Sequence, residues 1–243
     1  MRYRPSWVDL NYEAAFRLPL FAVSGQPLNF AGAMCASLRP VAVIAARDIS
    51  ITRHSDADTR VKATFFAGNA NLEFGPDSLS VVFRNPHTAD DLDVIKKVVT
   101  RLQGFLHEQA SMSVPKAETV TVRAFLELVD EPKNAQQYLC SLYGDSKLYA
   151  PSVAAVSSLL SPGIRFDIED TDNKWTFNFE LSRAVRNRSE VFVLTTTQFP
   201  AESKVSDTDA RATLIDQLVV ESMKRVGLEP ARVTAGTSEM PNA

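Results

Sequence analysis

Apolar and polar residues alternate along several stretches of this chain. Trp175, Phe177, Phe179 and Leu181 alternate with Thr176, Asn178, Glu180 and Ser182. That two-residue period predicts a strand with one apolar and one wet face. Just upstream, Ile164, Phe166 and Ile168 alternate with Arg165, Asp167 and Glu169, and Asp170-Thr171-Asp172-Asn173 reads as the hairpin turn between the two. After the turn Arg186-Asn187-Arg188, Val191 to Phe199 predicts a third strand. The first half of the chain gives comparable runs at Val41 to Arg53, Val61 to Phe66, Asn71 to Phe74 and Leu79 to Phe83. Polar or Gly/Pro turns separate them: His54 to Asp58, Gly68-Asn69 and Gly75-Pro76-Asp77. Two further strand-like runs, Phe16 to Val23 and Val120 to Val129, each precede a helix-like stretch.

Two long segments carry the helical period instead. Leu92, Ile95, Val98, Val99, Leu102 and Leu106 recur near every 3.6 residues, with Asp90 and Asp91 where a helix N-terminus favours acids. Pro115 is expected to close that unit. Leu214, Ile215, Leu218, Val219, Met223 and Val226 form the second stripe. Ser206 is placed to cap it, Asp207 and Asp209 fall in its first turn, and Gly227 follows Lys224 and Arg225 as a stop signal.

The order of these elements repeats. Pro27, Asn29 and Cys35 recur at the same spacing as Pro132, Asn134 and Cys140, 105 residues further on. Each set follows a strand-like run and precedes several strands and a long helix. Pro151 to Leu160 is the one departure: it reads as helical where its counterpart after Leu38 reads as extended. The expected organisation is therefore a first α+β repeat with an N-terminal arm (1–115), a second repeat (116–228) and a flexible C-terminal tail (229–243). The expected fold is α+β: two pseudo-repeats of β-α-β-β-β-α, with antiparallel curved sheets covered by helices on one face only. In element order alone this resembles the TATA-box-binding-protein fold or half of a sliding clamp. The chain carries no sequence motif of either, and the resemblance implies architecture rather than function.

Composition narrows the classes. The chain has 243 residues, 45% of them hydrophobic and 23% charged. A chain of this length buries roughly 70% of its unfolded surface, enough for a core without metals or disulfides. Lys and Arg number 26 against 29 Asp and Glu, which argues against a dedicated binder of phosphate backbones. No window is long and apolar enough to cross a membrane, and the N-terminus lacks a signal-peptide core. The two cysteines, Cys35 and Cys140, lie in apolar helix-like stretches and read as buried free thiols of a cytoplasmic protein.

Catalytic signals are sparse. His54, His87 and His107 share no ligand spacing and read as solvated. No nucleophile elbow or phosphate-binding Gly motif occurs, and nothing calls for a cofactor. Asp167, Glu169 and Glu180, together with Asn178, share a predicted strand face and form the candidate metal or acid/base cluster. The alternative is a wet face beside an Asp/Asn-rich turn. Trp175, Phe177 and Phe179 suggest a base-stacking surface, but helices must cover their face, so they are assigned to the core. Trp7 falls before the first predicted strand and reads as an anchor for the N-terminal arm. The expected function is a non-enzymatic binding or assembly module that presents its sheet to a protein partner or to another copy of itself. Lys62, Thr64, Asn178, Glu180, Thr196 and Gln198 on the wet face would make the contact. The alternatives are a metal-dependent enzyme built on Asp167, Glu169 and Glu180, and a nucleic-acid-binding platform.

Overall fold

A computed structural model describes residues 1–55, 58–86, 89–109, 115–131, 134–142 and 163–231. The strands are β1 (Arg2–Phe16), β2 (Ile49–Arg53), β3 (Thr59–Phe65), β4 (Ala70–Phe74), β5 (Ser78–Arg84), β6 (Pro115–Leu128), β7 (Gly163–Asp170), β8 (Trp175–Arg183), β9 (Glu190–Pro200) and β10 (Glu229–Pro230). Among the described residues the helices are α1 (Phe21–Gly25), α2 (Pro27–Leu38), α3 (Ala89–Gln109), α4 (Ala135–Ser141) and α5 (Thr208–Arg225). This is an α+β fold on one sheet, in the order β2-β3-β4-β5-β1-β6-β9-β8-β7. Neighbours along that path are antiparallel, while the two-residue β10 runs parallel beside β1. The long central pair β1 and β6 joins the two halves of the chain.

Burial follows the alternation. On β3, Thr59, Val61, Ala63 and Phe65 are buried, while Arg60 and Lys62 between them are exposed and Thr64 is half-buried. On β8, Trp175, Phe177, Phe179 and Leu181 are buried. These side chains join the helices in two separate clusters. One gathers β3, β4 and β5 with α2 and α3 around Phe74, Leu79, Met34 and Leu102. The other gathers β8 and β9 with α4 and α5 around Phe177, Leu181, Leu139 and Met223. The opposite face of the sheet carries no helix among the described residues.

Helix ends follow the expected chemistry with small shifts. Asp207, expected in the first turn, is itself the cap of α5: its carboxylate accepts from the Ala210 N–H at 2.9 Å, so Ser206 is not the cap. Gly227 adopts φ 71° just beyond α5, a conformation that favours glycine. Asn134 caps α4, accepting from the Gln136 and Gln137 amides.

Five expectations are corrected at the ends of elements. The N-terminal arm is the central strand β1, and Pro115 opens β6 rather than closing the first unit. Phe16 to Val23 is the point where β1 ends and α1 begins, because Pro19 donates no backbone hydrogen bond. Val41 to Arg53 is a strand only from Ile49; before it stands a short 3-10 turn at Ala46–Asp48. The expected tail starts in order: Glu229 and Pro230 pair with Arg2 and Tyr3, and the Ala231 N–H donates to the Tyr3 carbonyl. Cys35 and Cys140 are free and half-buried rather than buried. The helical reading of Pro151 to Leu160 lies outside the described residues.

Candidate functional site: an open sheet face and an interhelical cleft

The register of the sheet sorts the open face into rows that cross six to nine strands. One row runs Ser50, Lys62, Glu73, Ser80, Glu13, Thr119, Gln198, Thr176, Glu169. The next runs Thr64, Asn71, Val82, Asn11, Thr121, Thr196, Asn178, Asp167. A third runs Arg84, Asp9, Arg123, Leu194, Glu180, Arg165. All six residues expected to contact a partner therefore lie on this face, spread over three adjacent rows. Strands sit ~4.8 Å apart, so Lys62 and Gln198, five strands apart in one row, are separated by ~24 Å.

The charges on this face are segregated. Over β3 to β5, Arg60, Lys62 and Arg84 outweigh Glu73, and Arg60 and Lys62 both bridge to Glu73 at 2.8 and 3.1 Å. Over β7 and β8, Asp167, Glu169 and Glu180 outweigh Arg165. Between them Asp9 is buried at 8% exposure, with its Oδ1 lacking a hydrogen-bond donor. Burial pushes the Asp9 carboxyl above its ordinary range, and the flanking Arg84 and Arg123 partly offset this.

An aromatic row lies on the three middle strands of the same face, at one end of it. Trp7, Phe125 and Phe192 are cross-strand neighbours on β1, β6 and β9, with ring centroids 5.4 and 5.1 Å apart. The Arg186 guanidinium lies 3.9 Å above the Phe125 ring. It also pairs with Glu190 at 2.8 Å, and Ser6 Oγ donates to the same carboxylate at 2.6 Å. Burial alone would raise the Glu190 carboxyl; the Ser6 and Arg186 contacts outweigh it and hold the group below its usual range. Trp7 is thus part of β1 and not an arm ahead of the first strand. A register shift between Pro5 and Trp7 leaves Ser6 as the extra residue; Trp7 shares the open face with Asp9, Asn11 and Glu13, while Tyr3 and Pro5 before the shift stand opposite Leu128 and Leu126 on the covered face.

The carboxylates considered for a metal are placed on one face without converging. Asp167 accepts from the Asn178 amide, Glu180 stands across from Arg165, and Glu169 stands across from Thr176. Among the described residues no group of three His, Cys, Asp or Glu side chains is arranged to hold a metal ion. Asp170 serves the turn, accepting from the Asp172 and Asn173 amides at 3.0 and 2.8 Å. His54 and His107 are exposed, and His87 lies outside the described residues.

The helix-bearing face holds a second feature. Between α3 and α5, over the central strands, lies a mostly apolar cleft of about 510 Å³. Its floor is Val8 and Leu10 of β1 with Val120 and Val122 of β6. All four are only half-buried, unlike Leu72 or Leu181 beneath the helices of either half. One end is closed by a polar network that ties both halves together. Tyr12 Oη and Gln103 Nε2 each donate to Glu118 Oε2 at 2.8 Å, and an Arg211 guanidinium N–H donates to the same oxygen at 2.5 Å. Thr208 Oγ1 donates to Gln103 Oε1 at 2.7 Å. Arg211 also donates to the Val205 carbonyl and lies over the Phe199 ring. Burial, reinforced by the Glu118 charge, holds the Tyr12 phenol protonated far above its ordinary range. This network was not anticipated from sequence. Its one signal is Glu118 itself, an acid on the covered face of β6 in line with Val120, Val122 and Ala124.

Among the described residues no helix is long and apolar enough to cross a membrane. No family model matches the chain, and no curated protein matches it.

Proposed function

We propose that the protein is a non-enzymatic assembly module that pairs with a second copy of itself through the open sheet face. The observation that carries this reading is the segregation of charge: a basic half and an acidic half lie on either side of the middle strands that carry the aromatic row. A two-fold axis through those strands lays the Arg60/Lys62/Arg84 side of one copy over the Asp167/Glu169/Glu180 side of the other. Isologous contacts of this kind need a self-complementary surface, which this face supplies. Trp7 on β1 and Arg186 over the Phe125 ring are of the residue types that dominate interface energetics. Size supports the reading as well. Nine strands at ~4.8 Å spacing, each contributing a stretch of about seven residues at ~3.3 Å, give a face of about 900 Å². That is close to the ~800 Å² that each partner buries in a standard interface.

A duplicated origin belongs to the same reading. In the sheet order, β5, β4 and β3 lead outward from β1 as β9, β8 and β7 lead outward from β6, and each arm is followed in sequence by a long helix. Such a platform presents two similar halves about its centre, the geometry that two-fold pairing uses. A reducing, cytoplasmic setting is proposed with it, from the unpaired Cys35 and Cys140.

Sedimentation velocity on two oppositely altered chains tests the proposal. Variant one carries Lys62→Glu and Thr64→Glu; variant two carries Glu169→Lys and Glu180→Lys. The unaltered chain is expected to sediment as a dimer at micromolar concentration and each variant as a monomer. An equimolar mixture of the two variants is expected to dimerise again, because each reversed half then faces an opposite charge. These positions are solvent-facing, so melting temperatures should stay within a couple of degrees of the unaltered chain. A monomeric unaltered chain, or a mixture that stays monomeric, overturns the proposal.

A further inference from the structure

The geometry points to a small-ligand site in the cleft between α3 and α5, shaped for an amphiphilic cation: an amine carried on an apolar body. The two hydrophobic clusters do not meet over β1 and β6, and the cleft of about 510 Å³ lies between them. That volume falls within the usual range for small-molecule sites. The half-buried floor of Val8, Leu10, Val120 and Val122 offers an apolar body a surface to cover. It does not choose the head group. The charges do.

Both cations in the cleft wall are already engaged. Arg211 is committed to Glu118, to the Val205 carbonyl and to the Phe199 ring. Lys96 lies 3.9 Å from both Asp93 and Asp209. Acceptors are left over. Tyr12, Gln103 and Arg211 all converge on Oε2 of Glu118, so Oε1 has no donor among the described residues. Asp216, exposed on the wall formed by α5, has no ion-pair partner among them either. A carboxylate head would meet these acceptors without a free cation to receive it. An ammonium head would donate to Glu118 Oε1 at the closed end, or reach the Asp93 and Asp216 side. This site lies on the face opposite the proposed self-pairing surface and stands independently of it.

Calorimetric titration of the full chain with octylamine, octanol and octanoate, all below their micelle-forming concentrations, tests the assignment. The three share one apolar body and differ in head-group charge. Octylamine is expected to bind at one site per chain, and octanoate at least tenfold more weakly, with octanol between. Ile215→Trp, which fills the cleft from α5, should abolish octylamine binding while far-ultraviolet dichroism and melting temperature stay near those of the unaltered chain. If that variant fails to fold, Val122→Phe fills the same space from the floor and takes its place. Octanoate binding as tightly as octylamine overturns the cationic preference. Undetectable octylamine binding at millimolar concentration, or undiminished binding to a folded cleft-filling variant, overturns the site.

Discussion

Replacing Glu118 by Leu tests whether the polar network holds the two halves of the sheet together. Glu118 and Arg211 are 12% and 13% exposed, and their contact is 2.5 Å. Leu removes the acceptor for three donors at once: the Tyr12 hydroxyl, the Gln103 amide and the Arg211 guanidinium. The last matters most. Arg211 is also held by the Val205 carbonyl and the Phe199 ring, so it cannot swing into water without losing those contacts. Leaving a buried ion without its partner costs about 3–5 kcal/mol. The residual exposure of both groups lowers the expectation to about 2–4 kcal/mol, because solvent screens part of the lost attraction. For a chain of this size that is a fall in melting temperature of roughly 4–16 °C. Urea denaturation at neutral pH measures it directly. Glu118→Gln keeps an acceptor and loses only the charge, so it should cost less than Leu. Arg211→Met made together with Glu118→Leu removes both charges and should cost less than either single change. The expected coupling between the two sites is at least about 1 kcal/mol. A single Glu118→Leu cost below about 0.5 kcal/mol, or costs that simply add, would refute the reasoning.

Two further predictions concern the core and the alkaline limit. Phe177→Ala should destabilise by about 3–5 kcal/mol in urea melts, from lost burial plus a cavity under α5; Phe177 is 1% exposed, and a cost below 1 kcal/mol would mean the site collapses freely. Burial raises the phenols of Tyr3 and Tyr138, and burial together with Glu118 raises that of Tyr12 well above its ordinary range. A raised tyrosine favours the folded state fully below its unfolded value of about 10, and that contribution is lost as pH climbs through the folded value. Stability should therefore fall above about pH 10, less steeply in Tyr12→Phe. Tyrosinate absorbance should stay short of the level for all 5 tyrosines until the chain unfolds, and full ionisation of the folded protein would contradict this.

How much of this was legible depended on whether one residue's environment was set by its neighbours in sequence. β8 was readable because strict alternation forces Trp175, Phe177 and Phe179 to one face, and a one-residue slip would expose all of them. β1 was not. Pro5 and the extra residue at Ser6 break the alternation, so the segment looks like a polar arm although it pairs along its length with β6. Beyond the bulge Trp7 takes the same face as Asp9, Asn11 and Glu13 by plain alternation, but that parity becomes readable only once the polar segment is recognised as a strand. The wet-face residues were legible one by one, but their assembly into rows was not, because a row needs the register of six to nine strands. Charge segregation appears only after that register is known.

The cleft was illegible for a different reason. Apolar stripes on α3 and α5 and apolar positions on β1 and β6 each predict burial, and nothing local says that they fail to bury one another completely. That outcome depends on how far apart the two helices stand. Thr208 on Gln103, and Arg211 and Gln103 both on Glu118, fix the separation at one end, whereas Val8 and Val122 are left half-covered. A polar network is thereby the spacer of an apolar cleft. If so, the two features must respond together: loosening the network with Glu118→Leu should change octylamine affinity as well as stability, although Glu118→Leu also removes a proposed head-group acceptor. Thr208→Val separates the two effects, since it removes only the hydroxyl that donates to Gln103 and leaves Glu118 intact. A shift in octylamine affinity in Thr208→Val, with Glu118 unchanged, is the result that the spacer argument requires.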